Sequence, residues 1–267
     1  MPKVENLLAN IKPKSDIKLQ EPIPNPFENA FRFCAIGATL SGKTMMLMNC
    51  LLKWWVIRET TVWDDIFIFA SSAGQDDLWS LLESQQSQRL KIMERVFISK
   101  ELEQDRINML LNRPNKNKKT LVWIDDMAGD KKMLDTPIIH DLFYKGRQNN
   151  ISVLLTSQHY YQIPPSLRVN ASHLAIFNIA SQKTLAMVKQ DLETRDVSAD
   201  KLMLMFDACT REKFSFMFVQ MNPRKWFKSF DYEIEIPSDG NEQQQEEDQP
   251  QQEEDEDSLA DQEYANL

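Results

Sequence analysis

Cysteine is scarce in this chain, and no two of its three cysteines form a C-x-x-C pair. Cys34, Cys50 and Cys209 are odd in number, widely separated and set in apolar or helical surroundings, which excludes a disulfide framework. His140, His159 and His173 are equally sparse and none stands at ligand spacing from a cysteine, so a zinc site is excluded too. The expectation is reduced, packed thiols in an intracellular protein. The opening MPKVENLLANIKPK has no apolar h-region, so no cleavable signal is expected. The longest apolar stretch, Met45 to Ile57, is interrupted by Asn49 and Lys53 and is too short for a bilayer, which predicts a soluble protein without membrane contact. No internal repeat is visible. Residues 238–267 lack Lys and Arg entirely while carrying twelve Asp or Glu, so they have little to bury, repel themselves and read as a disordered acidic tail.

That tail distorts the charge balance. The whole chain carries −9, but removing those twelve from its 40 acids leaves 28 against 31 basic residues over 1–237. A slightly basic body permits contact with a polyanion without requiring it. With 267 residues and 42% hydrophobic content, the simplest organisation is an extended arm at 1–26, one α/β domain at 27–237 and the tail. Apolar runs at 31–36, 65–70, 95–98, 120–125, 151–156, 174–179 and 214–220 read as strands. Helical patterns fill 43–57, 76–87, 100–111, 134–146, 181–192 and 198–207. This alternation predicts a mostly parallel sheet with helices on both faces, which collects its ligand at the carboxyl ends of the strands.

What is present sits where such a sheet needs it. GATLSGKT, Gly37 to Thr44, lies between the apolar run 31–36 and a helical pattern, matching G-x-x-x-x-G-K-[ST] in its strand-to-helix setting. The backbone N–H groups of Gly37, Ala38, Thr39, Leu40, Ser41 and Gly42 would cradle ATP phosphates at a helix N-terminus. Lys43 would contact the β- and γ-phosphates, and the Thr44 hydroxyl would coordinate Mg²⁺. The fold expected is therefore that of a P-loop NTPase.

LVWIDD, Leu121 to Asp126, is an apolar strand ending in two carboxylates. Alone, such a pair caps a helix or faces solvent; after a phosphate loop, Asp125 reads as a holder of the metal's water shell and Asp126 as the group polarising the attacking water. The next strand ends in Thr156, Ser157 and Gln158, and Gln158 is the candidate γ-phosphate sensor. Arg147 and Arg168 are candidates for an arginine finger acting on a neighbouring subunit, although each singly reads as a structural or surface residue. Basic clusters at 112–119, at Lys131 and Lys132, and at Arg224, Lys225 and Lys228 around Trp226 are candidate DNA contacts; taken singly, each reads as a solvated surface loop. Trp54, Trp55 and the Met-rich helix read as core or subunit contact.

Together, Asn25-Pro26-Phe27, GATLSGKT, LVWIDD and KGRQNNISVLLTSQHYYQIPPSLRVNASHLAIF resemble the genome-packaging ATPases of the FtsK/HerA superfamily, in the poxvirus-type branch of large double-stranded DNA viruses and virophages. The resemblance covers about residues 25–180 and implies ATP and Mg²⁺ at Lys43, Thr44, Asp125 and Asp126, with Gln158 as sensor and Arg147 preferred over Arg168 as finger. Asp126 stands where many relatives carry Glu. It further implies a homo-oligomeric ring drawing double-stranded DNA into a preformed capsid, with work done in the host cytoplasm or nucleus. The acidic tail reads as a competitor of DNA, a dock for a capsid or portal protein, or a solubility tail. Alternatives are a small nucleotide kinase, disfavoured by the lack of an evident Arg-rich lid, a helicase without recognisable further motifs, and a non-enzymatic scaffold.

Overall fold

The computed structural model describes residues 27, 30–51, 56–57, 60–75, 79, 96–127 and 131–234. The expected arm and tail, Trp54, Trp55 and, apart from Trp79, the expected helix at 76–87 lie outside the described residues. The chain builds a nine-stranded sheet from β1 (Arg32–Ile36), β4 (Asp65–Ala70), β5 (Val96–Ser99), β6 (Thr120–Asp125), β7 (Ile151–Ser157), β8 (His173–Phe177), β9 (Phe216–Met221), β10 (Arg224–Lys228) and β11 (Tyr232–Glu233). A small separate hairpin pairs β2 (Val56–Ile57) with β3 (Thr60–Thr61). The order across the main sheet is β11-β10-β9-β8-β1-β7-β6-β4-β5. From β8 to β5 the strands are parallel, and β9, β10 and β11 continue the sheet antiparallel.

The central strands β1, β6, β7 and β8 are buried at every position, as continuous apolar runs in a sheet covered on both faces must be. Helices among the described residues include α1 (Lys43–Cys50), α2 (Gln104–Leu111), α3 (Lys131–Leu134), α4 (Pro137–Lys145), α5 (Pro165–Asn170), α6 (Gln182–Leu192) and α7 (Ala199–Thr210). Local chemistry sets their starts. Pro137 opens α4 at a position whose N–H has no helical partner, while Ser181 and Ser198 accept from Thr184 N and Lys201 N to cap α6 and α7. Phe27, Phe31, Phe33, Phe177, Phe216 and Phe218 belong to one core cluster, in which Phe27 and Phe31 stand 4.9 Å apart by ring centroid. Each such buried ring contributes about 1.5–3 kcal/mol.

Three expectations change. Of the helix expected over 43–57, Lys43–Cys50 is α-helical, but its expected end at Val56 and Ile57 pairs instead with Thr60 and Thr61 in a hairpin, where β-branched residues are favoured. The strand expected from 214 begins at Phe216, since Phe214 has φ 69° and leaves extended geometry. The basic, aromatic cluster at 224–228 is β10, folded back on β9, with Trp226 buried.

Candidate active site

Strand register brings the motifs together. Ile36 at the end of β1 pairs with Ser157 at the end of β7, and Gly37 N donates to Ser157 O at 3.2 Å. On the far side of β7 lies β6, which ends in Asp125. The phosphate loop and the two acids are thus separated by one strand whose last residues are Thr156 and Ser157.

The loop has little freedom. A Cβ on Gly37 would lie 2.7 Å from both Phe177 Cβ and Ser41 Oγ, and Gly42 has φ 101°, so neither position admits a larger side chain without strain. Gly42 stands at the start of α1, where Met46 N donates to Gly42 O at 2.8 Å. Lys43 is 6% exposed, and its Nζ donates to Gly37 O at 2.7 Å and Ala38 O at 3.0 Å. The ammonium therefore lies back over its own loop. Burial lowers its pKa, while Asp126 and Asp125 act in the opposite direction.

Asp125, 4% exposed, is held from three sides. Thr156 Oγ1 donates at 3.0 Å and Trp123 Nε1 at 3.2 Å to its Oδ1, and Thr44 Oγ1 lies 3.3 Å from both carboxylate oxygens. Burial pushes the carboxyl up to about 6; the Thr156, Trp123 and Thr44 hydrogen bonds pull it down, and the neighbouring Asp126 raises it. Asp126 has φ 49°, a left-handed conformation that costs a non-glycine residue about 1–3 kcal/mol. Hydrogen bonds hold it there: Asp126 N donates to Thr156 Oγ1 at 2.7 Å, Gln158 Nε2 donates to Asp126 Oδ2 at 2.7 Å, and Ser71 Oγ donates to Asp126 O at 3.5 Å. Thr44, Asp125, Thr156, Asp126 and Gln158 form one continuous polar chain from the start of α1 across the ends of β6 and β7. Thr156, which serves both acids at once, was not singled out from the sequence; its place at the tip of the intervening strand was the available signal.

The two arginines part company. Arg147 is exposed on the 3₁₀ turn Gly146–Asn149, which leads into the start of β7. The phosphate loop follows β1 at the other end of these strands, about 20 Å away for a seven-residue strand. Beneath that turn lies Arg32, a residue the sequence hid inside an apolar run. Its Nε donates to Phe143 O at 2.7 Å and its Nη1 to Ala30 O, tying β1 to the end of α4. Its Nη2 has no partner among the described residues and would lie 3.5 Å from a Cβ on Gly146. Burial lowers the Arg32 pKa to about 10, helped by Arg147. Arg168 differs from the exposed finger candidate it resembled: it is 8% exposed, its Nε pairs with Asp191 at 2.8 Å, its Nη1 donates to Ile163 O at 3.0 Å, and it lies over Tyr160. A buried guanidinium held through Nε and Nη1 in this way fits the structural reading of Arg168.

The basic clusters are partly used inside the chain. Arg113 donates to Thr120 Oγ1, Lys118 O and Asn149 O, and Lys118 pairs with Asp65 at 2.6 Å. Lys225 pairs with Glu233 at 2.9 Å, Lys228 with Glu212 at 2.6 Å, and Arg224 donates to Leu192 O at 3.0 Å. The lysine pairs are solvent-exposed surface pairs that contribute little and are readily exchanged for other anions. Arg113, bonded to two backbone carbonyls, is not. No helix among the described residues is long and apolar enough to cross a membrane.

The profile of the poxvirus A32 protein family matches residues 25–220, most of the chain. The chain belongs to this family. Among curated proteins none matches significantly. Among solved structures, this A32-family chain is similar to the genome packaging NTPase B204 of Sulfolobus turreted icosahedral virus 2. In its complex with AMP the TM-score is 0.53 at 15% identity, covering 75% of this chain and 96% of that one. In its complex with ATP-γS the TM-score is 0.53 at 14% identity, covering 75% and 97%. B204 of Sulfolobus turreted icosahedral virus, described as a DNA-packaging ATPase, gives 0.50 at 14% identity, covering 75% and 97%. At such identities the likeness establishes a shared fold, a P-loop NTPase sheet flanked by helices.

Proposed function

We propose that this chain is the ATP-hydrolysing motor that drives double-stranded viral DNA into a preformed capsid. The single observation that carries the reading is the polar chain from Thr44 through Asp125 and Thr156 to Asp126 and Gln158, which joins the phosphate loop to two acids across one intervening strand. Family membership and the likeness to packaging NTPases solved with nucleotides support it.

Phosphoryl transfer asks the protein mainly for position and charge. The loop N–H groups bind the phosphates of ATP, and Lys43 leaves its carbonyl partners to neutralise the β- and γ-oxygens. Gln158 aligns Asp126, whose carboxylate orients the attacking water and draws its proton. The residues fit Mg²⁺: the Thr44 hydroxyl and the Asp125 carboxylate are hard oxygen donors 3.3 Å apart. Thr44 and Asp125 would hold the ion, which when bound offsets the negative charge of the transferring group.

Arg147, exposed at the opposite end of the strands from its own loop, serves the site of a second copy, so the working form is a homo-oligomeric ring. DNA is gripped through its phosphates, a contact independent of sequence and sensitive to salt. The test is phosphate release from ATP and Mg²⁺ with and without duplex DNA. Stimulation by DNA, abolished by Lys43→Ala, is the expected result. Transfer to a nucleoside monophosphate would make the chain a kinase, and absence of turnover a scaffold.

A further inference from the structure

A cleft of about 460 Å³ opens beside the phosphate loop, on the side away from the acids. It is walled by Leu40 and its neighbours in the loop, by the end of β8 at Phe177 and Asn178, and by the segment 210–215 between α7 and β9. Its size falls within the roughly 300–1,000 Å³ of small-molecule sites. Antiparallel pairing of β8 with β9, Phe177 opposite Phe216, is what brings the 210–215 segment to the carboxyl end of the parallel strands.

Sheet order gives the cleft a direction. β1 delivers the loop, β7 and β6 with their acids lie on one side of it, and β8 and β9 lie on the other. A triphosphate bound on the loop with its γ-phosphate toward Asp125 and Asp126 therefore extends its α-phosphate and nucleoside toward β8 and β9. The cleft is the space on that line.

Phe214 is the unusual residue there. It has φ 69°, a conformation that is an outlier for a bulky side chain, and yet it is 57% exposed instead of buried. Its ring lies against the loop: a Cβ on Gly42 would be 3.2 Å from Phe214 Cδ1. The segment is held in place by Glu212, whose carbonyl accepts from Ser215 N at 3.2 Å and Ser215 Oγ at 2.7 Å, and whose carboxylate pairs with Lys228 on β10. Lys213 stands over the ring, Nζ 4.8 Å from its centroid. A strained, exposed aromatic ring fixed beside a phosphate loop offers a flat stacking face, and a cation beside it suits the ribose-phosphate end of a ligand.

We infer that this cleft receives the nucleoside of the bound nucleoside triphosphate, with Phe214 as the platform on which the base stacks. The inference rests on the nucleotide-hydrolase reading above and adds a residue that lies in none of the sequence motifs. It is tested on the full chain by measuring, with Mg²⁺ present, the dissociation constants of ATP and of inorganic tripolyphosphate, which carries the phosphates without a base. Phe214→Ala is expected to weaken ATP about tenfold, the value of one base stacked on one aromatic ring, and to leave tripolyphosphate unchanged. Phe214→Tyr should restore ATP binding, and Lys43→Ala should lose both ligands. If Phe214→Ala weakens neither ligand, or both equally, the stacking role is overturned while the hydrolase reading stands. Failure of the unaltered chain to bind either ligand sinks both.

Discussion

The two ends of the parallel strands hold charge in contrasting ways. At the carboxyl end, Thr44, Asp125, Asp126 and Gln158 are linked through Thr156, while Lys43 is held by carbonyls of its own loop, and each of these groups has a partner a few ångströms away. At the amino end both signs occur, Asp64 and Asp65 standing near Arg113, and the arginines differ in their partners: Arg32 is buried with a spare N–H group, Arg113 is bonded to carbonyls, and Arg147 is exposed. On the proposed function, one end is preorganised for a nucleotide and the other offers Arg147 to a neighbouring copy. A motor in which each subunit completes its neighbour's site needs this division.

Arg147→Ala should break the comparison most severely. In the assembled ring it is expected to lower ATP turnover by about 10³-fold or more, the worth of an arginine finger, with nucleotide affinity unchanged. Mixing Arg147→Ala chains with Lys43→Ala chains should recover part of the activity, since one supplies an intact loop and the other an intact arginine. Normal hydrolysis by an Arg147→Ala oligomer would show that the amino end takes no part. Asp126→Asn comes next, with turnover down about 10²–10³-fold and ATP binding retained. Its defect belongs to the carboxyl end alone and should appear in the basal rate of the isolated chain as well as in the ring; a defect confined to the ring would move Asp126 out of the chemistry.

The carboxyl end was legible in the sequence because its chemistry demands fixed residue types at fixed places: glycines where the backbone turns, then Lys-Thr, then two acids closing an apolar strand. The amino end was far less so. Arg32 stands in Phe-Arg-Phe-Cys-Ala-Ile, which reads as a plain buried strand, and its partner Phe143 O is 111 residues further on. A backbone carbonyl leaves no mark in the residue pattern. Arg168 carried a finger's credentials by position, but Asp191, which holds it, comes from a helix whose docking no local pattern reveals. The overlong first helix failed for a different reason: an apolar stretch reads alike as helix or hairpin until its β-branched end is weighed.

The smallest of these effects tests what preorganisation costs at the carboxyl end. The Asp125 carboxyl is raised from its ordinary value near 3.8 to about 6, chiefly by burial. Between these values the folded chain keeps a proton that the unfolded chain has released, so stability falls as pH rises through about 4 to 6 and then levels off. Fully ionised at neutral pH, the group costs the nucleotide-free protein about 3 kcal/mol. Asp125→Asn removes that charge while keeping an acceptor for Thr156 and Trp123. Thermal unfolding without nucleotide from pH 4 to pH 8 should show the variant melting several degrees higher than the parent at pH 7 and nearly level with it at pH 4. An equal or lower melting temperature at pH 7 would mean that Thr156, Trp123 and Thr44 already compensate the buried charge, and the carboxyl end would then hold its acids without strain.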